Sequence, residues 1–217
     1  MKYPALRREI VAACQDMNRR GINQGTSGNI SARVAEGLLI TPSGLPYDEM
    51  KPADIVLMKK DGSHAGRLKP SSEWRFHTSI MATRPEVGAV VHTHSMFATT
   101  LSCLGLEIPA VHYMIAAAGG NNIRCVPYIT YGTQELADAA LKALEGRRAC
   151  LLANHGMIVV GPTLKKAMWL AVEVETLAAQ YWRALQIGKP NILTEAQIKT
   201  VMDKFQTYGQ PQPATCC

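Results

Sequence analysis

The segment Val90-Val91-His92-Thr93-His94 sets two imidazoles one residue apart inside an apolar run. Successive side chains on a β-strand alternate faces, so both rings would project to one side with their Cα atoms roughly 6.5–7 Å apart, a spacing that suits one shared metal ion. Two histidines at a strand end can equally be hydrogen-bonded polar residues, so a metal site needs further donors. A third imidazole stands in Leu151-Leu152-Ala153-Asn154-His155-Gly156-Met157-Ile158-Val159-Val160, where the polar Asn-His-Gly step interrupts a strongly apolar stretch. Polar groups in such a run are costly unless they find partners. His92, His94 and His155 would supply the three protein ligands that zinc enzymes commonly use, provided the two runs are neighbouring strands.

Glu73 is the candidate carboxylate. It follows Pro70-Ser71-Ser72 at the start of a helical pattern, where serine hydroxyls and backbone N–H groups can also hold an anion. Helix electrostatics alone favour a glutamate in a first turn, so this residue is ambiguous by itself.

The elements that must position these side chains are readable from periodicity. Leu6, Ile10, Ala13 and Met17 mark an amphipathic helix over 5–20, ended by Arg19-Arg20 and Gly21. The stretch 23–31 (NQGTSGNIS) reads as a loop, either a plain turn or one that approaches a ligand. Short β-like runs follow at 37–41 and 54–58. A helix from Glu73 to about Thr83 would bury Trp74, His77, Ile80 and Met81, with Glu73 in its first turn. A strand over 89–94, helices over 98–104 and 133–145, and the 151–160 run as one interrupted strand come next. The longest helix spans 164–185, and another begins at Thr194. No repeat or interdomain linker appears, so 1–217 is expected to be one α/β domain, with the tail 210–217 a candidate for disorder.

The bulk composition narrows the function. At 217 residues, with 47% hydrophobic and 18% charged, the chain is globular and suited to a single core. The net charge of +6 comes from scattered doublets such as Arg7-Arg8 and Lys59-Lys60, which favours anionic small molecules over nucleic acid. Six cysteines form no C-x-x-C pair and read as cytosolic thiols, and Cys216-Cys217 is not a prenylation box. No secretory signal or apolar run of membrane-spanning length is present, so the expectation is a cytoplasmic protein with no membrane association.

Several motifs in fixed order resemble the class II aldolases of the fuculose-phosphate aldolase group: 23–31, Ile40-Thr41-Pro42-Ser43-Gly44, Pro70-Ser71-Ser72-Glu73-Trp74, His92-Thr93-His94 and Asn154-His155-Gly156. The likeness extends through 108–114 (IPAVHYM) and 204–209 (KFQTYG). It implies an α/β/α sandwich around a mainly antiparallel sheet, assembled as a homotetramer with active sites at subunit interfaces. It further implies one Zn2+ per subunit on His92, His94 and His155, with Glu73 as fourth ligand and as general base or acid. Gly28, Asn29, Ser43, Gly44, Ser71 and Ser72 match the phosphate-holding positions. Tyr113 would reach in from a neighbouring subunit to protonate the aldehyde oxygen, and Tyr208 would close over the site. Tyr131 stands at the aldehyde end, where the group is expected to carry phenylalanine.

The implied reaction is zinc-dependent cleavage of a deoxyketose 1-phosphate, L-fuculose 1-phosphate foremost, to dihydroxyacetone phosphate and L-lactaldehyde. Similar chemistry serves aldolases of 5-deoxypentulose 1-phosphates and pentulose-phosphate 4-epimerases. A methylthioribulose-phosphate dehydratase is a third relative, and the adducin head domain resembles the fold without a zinc site.

Overall fold

The computed structural model describes residues 1–65 and 67–207. The chain opens with helix α1 (Pro4–Arg19), which has a proline in its first turn, Arg19 in its last, and ends before Gly21 in the left-handed region at φ 69°. Three strands follow: β1 (Asn29–Val34), β2 (Gly37–Ile40) and β3 (Val56–Lys59), the last preceded by a 3-10 turn at Pro52–Asp54. After β4 (His64–Ala65) come α2 (Trp74–Thr83), β5 (Ala89–Thr93) and α3 (Met96–Cys103). Then β6 (Ile108–Pro109), a 3-10 segment Tyr113–Ala118, β7 (Asn122–Val126) and α4 (Gln134–Ala143) lead to β8 (Ala149–Leu152) and β9 (Gly156–Gly161). The described chain ends with α5 (Leu164–Ile187) and α6 (Glu195–Phe205).

The strands form one mixed sheet in the order β4-β3-β2-β1-β5-β9-β8-β7-β6. Among the described residues only β7 and β8 pair in parallel, and the other neighbours are antiparallel. β5 is buried at every residue because the sheet is covered on both faces. Alternation divides its side chains: Val90, Ile158 and Leu152 join Phe76, Ile80 and Leu136 under α2 and α4, while Val91, Val159 and Leu151 join Ile10, Leu101 and Leu170 under α1, α3 and α5. This is the α/β/α sandwich around a mainly antiparallel sheet that the motifs imply.

Four local readings are corrected. The 151–160 run is two antiparallel strands, with Leu152 opposite Gly156. Asn154, at φ 56°, turns the chain back, a conformation asparagine tolerates better than most residues. Glu73 is the N-cap of α2 and lies outside its first turn, because the Ser71 hydroxyl accepts the Glu73 N–H and starts the helix later. The 23–31 stretch is a loop only as far as Gly28, since Asn29 already pairs with His92 across β1 and β5. Trp74 is half-buried, and Phe76 takes the core position on α2.

Gly156 shows how tightly the central strands are packed: a Cβ there would lie 2.4 Å from the Thr93 carbonyl oxygen. Backbone cannot yield as a side-chain tip can, so Gly156→Ala is expected to destabilise the protein by about 1–3 kcal/mol. Denaturant titration checks this, and an unchanged midpoint would contradict the packing described.

Candidate metal centre

Each donor reaches the site through a different part of the fold. His92 lies on β5, and its Nδ1 is 2.9 Å from the Met157 carbonyl oxygen on neighbouring β9. A carbonyl only accepts, so Nδ1 carries the proton and the Nε2 lone pair is left facing inward. His94 sits one residue beyond β5, on the same face as His92. His155 is in the β8–β9 turn, and Glu73 caps α2. One ligand atom from each of Glu73, His92, His94 and His155 falls within 4.8 Å of the others.

Pairwise geometry shows what these atoms are arranged for. His92 Nε2 is 3.1 Å from Glu73 Oε2 and 3.0 Å from His94 Nε2, and His155 Nε2 is 3.2 Å from Glu73 Oε1. The three rings pack edge to face with centroids 4.8–4.9 Å apart. A proton between His92 and His94 would satisfy one pair, yet the inward lone pair of His92 would still confront a carboxylate oxygen. Glu73 Oε1 is buried and makes no hydrogen bond. Lone pairs converging in this way repel one another unless they share a cation, and a donor set of three imidazoles and one carboxylate fits a divalent ion.

Electrostatics keep the donors in their ligating forms. Burial by itself would raise the Glu73 carboxyl, but the adjacent His92 and His155 imidazoles outweigh it and hold the group well below the usual carboxylate range. Burial, reinforced by the neighbouring histidines, pushes His94 down to about 3, leaving a neutral imidazole at pH 7. His77, fully enclosed behind Glu73, is also pushed down to about 3, chiefly by burial.

The centre opens into a cavity of about 370 Å³ lined by Glu73, His94 and His155 together with Thr26, Ser27, Ser72, Asn154 and a wall of Tyr128, Tyr131 and the aliphatic Ile129. Of the six expected phosphate positions only Ser72 lines this cavity, and backbone bonds tie the others to its loop. Ser43 N–H donates to the Lys69 carbonyl, Ser71 N–H to the Thr41 carbonyl, and Thr41 N–H to the Ile30 carbonyl. These bonds bring Ser43-Gly44, Ser71-Ser72 and Gly28-Asn29 together. The Tyr47 hydroxyl donates to the Gly28 carbonyl, and a Cβ on Gly28 would lie 2.6 Å from the His92 carbonyl oxygen, so this loop lies directly on β5. Asn29 is buried with its side-chain amide against Glu73. Tyr131 is exposed at the mouth. Tyr113 is half-exposed on its 3-10 segment and does not line the cavity. Tyr208 and the tail 210–217 fall outside the described residues.

Residues 8–182 match the family model of the class II aldolase and adducin N-terminal domain. The chain belongs to the class II aldolase family. Class II aldolases of similar sequence include a 5-methylthioribulose-1-phosphate/5-deoxyribulose-1-phosphate aldolase of Rhodospirillum rubrum, 57% identical over 94% of this chain and 93% of the relative. An L-fuculose phosphate aldolase of Escherichia coli is 48% identical over 96% and 98%. A solved L-fuculose 1-phosphate aldolase superposes with a TM-score of 0.90 at 39% identity, covering 92% of this chain and 95% of that one. This class II aldolase is therefore a lyase of a metal-dependent class, with a cluster of Glu73 and three histidines able to hold the ion. Among its described residues no helix is long and apolar enough to cross a membrane.

Sequence reasoning passed over Tyr128 and Asn154 as cavity residues and His77 as a polar partner of the site. The spacing of Glu73 and His77, four residues apart and hence on one helix face, was the available signal for the last.

The pKa shifts fix the pH response of the metal-free protein. Between about 3 and the ordinary histidine value of 6.5, the unfolded chain binds a proton at His77 that the folded chain refuses. The depressed Glu73 acts in the same sense below 4.5. Stability therefore falls as pH drops through 6.5, by about 1.4 kcal/mol per pH unit for a fully buried group such as His77, and these groups add no slope above it. Denaturant midpoints from pH 8 to 4.5 measure this, and a protein that gains stability on acidification would contradict the buried neutral histidine.

Proposed function

We propose that this class II aldolase uses Zn2+ held by His92, His94, His155 and Glu73 to cleave a deoxyketose 1-phosphate reversibly into dihydroxyacetone phosphate and a short aldehyde. The observation that carries this reading is the buried cluster of converging donors opening onto a cavity lined by the hydroxyl residues Thr26, Ser27 and Ser72 and by Tyr128 and Tyr131. The whole chain 1–217 acts as one such domain. It works in the cytoplasm, which suits the free Cys14, Cys103, Cys125 and Cys150.

In the condensation direction, Gly28, Asn29, Ser43, Gly44, Ser71 and Ser72 hold the phosphate and orient the distant reacting carbon. Glu73 takes a proton from C3 of dihydroxyacetone phosphate, and the electron pair left behind attacks the aldehyde carbon. A tyrosine hydroxyl gives its proton to the aldehyde oxygen as the new C–C bond closes, and cleavage reverses each transfer. The bound ion supplies Lewis-acid stabilisation for the negative charge that the substrate gathers near C2 and C3. Because Tyr113 is exposed and does not line its own cavity, it performs this step from a neighbouring subunit of a homotetramer.

At the aldehyde end, Tyr128, Ile129 and Tyr131 offer apolar and aromatic surface, which suits a methyl or methylthio group better than a hydroxyl. Together with the 57% identity to the Rhodospirillum rubrum aldolase, this favours 5-deoxy-D-ribulose and 5-methylthioribulose 1-phosphates. L-fuculose 1-phosphate is the second reading, favoured by the relatives at 48% and by the superposed structure.

A coupled assay for dihydroxyacetone phosphate across L-fuculose, L-rhamnulose, D-ribulose, 5-deoxy-D-ribulose and 5-methylthioribulose 1-phosphates decides the substrate. The highest kcat/KM is expected for a 5-deoxypentulose, with activity lost to chelator and restored by zinc. Glu73→Gln is expected to lower kcat by about 10²–10⁴-fold. An isomeric pentulose phosphate without cleavage would make the protein an epimerase, and chelator-insensitive cleavage would refute the metal mechanism.

A further inference from the structure

Behind the carboxylate lies a buried polar chain whose Ser31 and His77 the reaction scheme above does not use. The Asn29 amide nitrogen donates to Glu73 Oε2 at 2.9 Å, Asn29 Oδ1 meets His77 Nε2 at 2.5 Å, and His77 Nδ1 meets the Ser31 hydroxyl at 2.7 Å. Asn29 and Ser31 alternate on β1, so both face α2. His77 lies one turn along α2 from Glu73. His77 and Ser31 are wholly excluded from solvent, and Asn29 and Glu73 nearly so.

The direction of every bond follows from one end. An ionised carboxylate only accepts, so the NH2 of Asn29 faces Glu73 and its carbonyl oxygen faces His77. That oxygen also only accepts, so His77 carries its proton on Nε2. Nδ1 is then the acceptor, and the Ser31 hydroxyl donates to it. The chain therefore runs one way, from Ser31 through His77 and Asn29 to one oxygen of Glu73. The other oxygen, Oε1, is left without a hydrogen bond, toward His155.

We propose that His77 is a positioning residue for Glu73, acting through Asn29, with the Ser31 hydroxyl donating to His77 Nδ1. Its Nε2–H pairs the Asn29 carbonyl oxygen and so holds the amide with its NH2 on Glu73. Without that donor, Asn29 Oδ1 is buried and unpaired, so the amide is no longer held from both ends and its grip on Glu73 Oε2 loosens. With it, Oε2 is tethered and Oε1 alone is free to meet the ion or carry the proton. This rests on the reading of Glu73 as proton carrier, and the measurements below separate the two.

The zinc-loaded full-length protein is compared with His77→Phe, which keeps bulk and loses the donor, and with His77→Gln, which can return an N–H near the Nε2 position. Ser31→Ala and Glu73→Gln are measured alongside. His77→Phe is expected to lower kcat per bound zinc, or zinc affinity by chelator competition, by about 10–100-fold, with KM little changed. His77→Gln is expected to recover most of that loss at a similar thermal midpoint. In the unsubstituted protein, ¹⁵N NMR of the ring is expected to show neutral His77 protonated on Nε2, whether or not any variant folds. An Nδ1–H or doubly protonated ring at pH 7 overturns the proposal. So does a His77→Phe protein with unchanged kcat per zinc and unchanged zinc affinity, or a loss that follows the thermal midpoint and that His77→Gln does not relieve. If Glu73→Gln keeps full activity, the proton-carrier reading fails, while the His77 tautomer and zinc affinity still decide whether the chain positions this ligand.

Discussion

Four donor atoms pointing their lone pairs at one another within 4.8 Å form a self-repelling group, and the rest of the molecule holds that group together. The force that does so is hydrophobic burial on both faces of the sheet, non-directional but large when summed over two apolar layers. Antiparallel pairing of β5 with β1 and β9 then converts that cohesion into position. His92 is locked opposite Asn29 on one side and Ile158 on the other. Such a centre can be built only where packing prevents its members from moving apart.

The helices contribute direction as well as cover. α2 begins where the Ser71 hydroxyl and carbonyl accept the N–H groups of Glu73 and Trp74, so the Glu73 side chain leaves the helix end toward the histidines and makes no bond to its own amides. α3 starts immediately past His94, and its first turn is held by Glu175, whose two carboxylate oxygens accept the N–H groups of Phe97 and Ala98 at 2.8 and 2.9 Å. An acidic group at a helix N-terminus is favoured by the helix dipole, so α5 anchors the turn that carries His94. The ion site is thereby supported from helices on opposite faces of the sheet.

Polarity is graded around the carboxylate. Behind it the Ser31-His77-Asn29 chain is dry and directional. In front, the cavity is lined by hydroxyls on one side and aromatic rings on the other. A buried, oriented group facing a shaped opening is what proton transfer at a carbon requires, because solvent reorganisation is avoided and the acceptor is already placed.

The sequence by itself determined the kind of chemistry and the layers. Histidine alternation in an apolar run, serine before glutamate at a helix start, and glycine- and serine-rich turns are local patterns, and local patterns survive without knowledge of the fold. Periodicity also sufficed for the long helices, because α1 and α5 bury stripes that repeat at helical spacing. The tertiary structure decided what depends on distant pairing: that 151–160 is a hairpin, that Asn29 begins a strand opposite His92, and that His77 completes a polar chain to the carboxylate. Those facts arise between residues more than forty positions apart or from a single left-handed residue, and hydrophobic period carries no information about either.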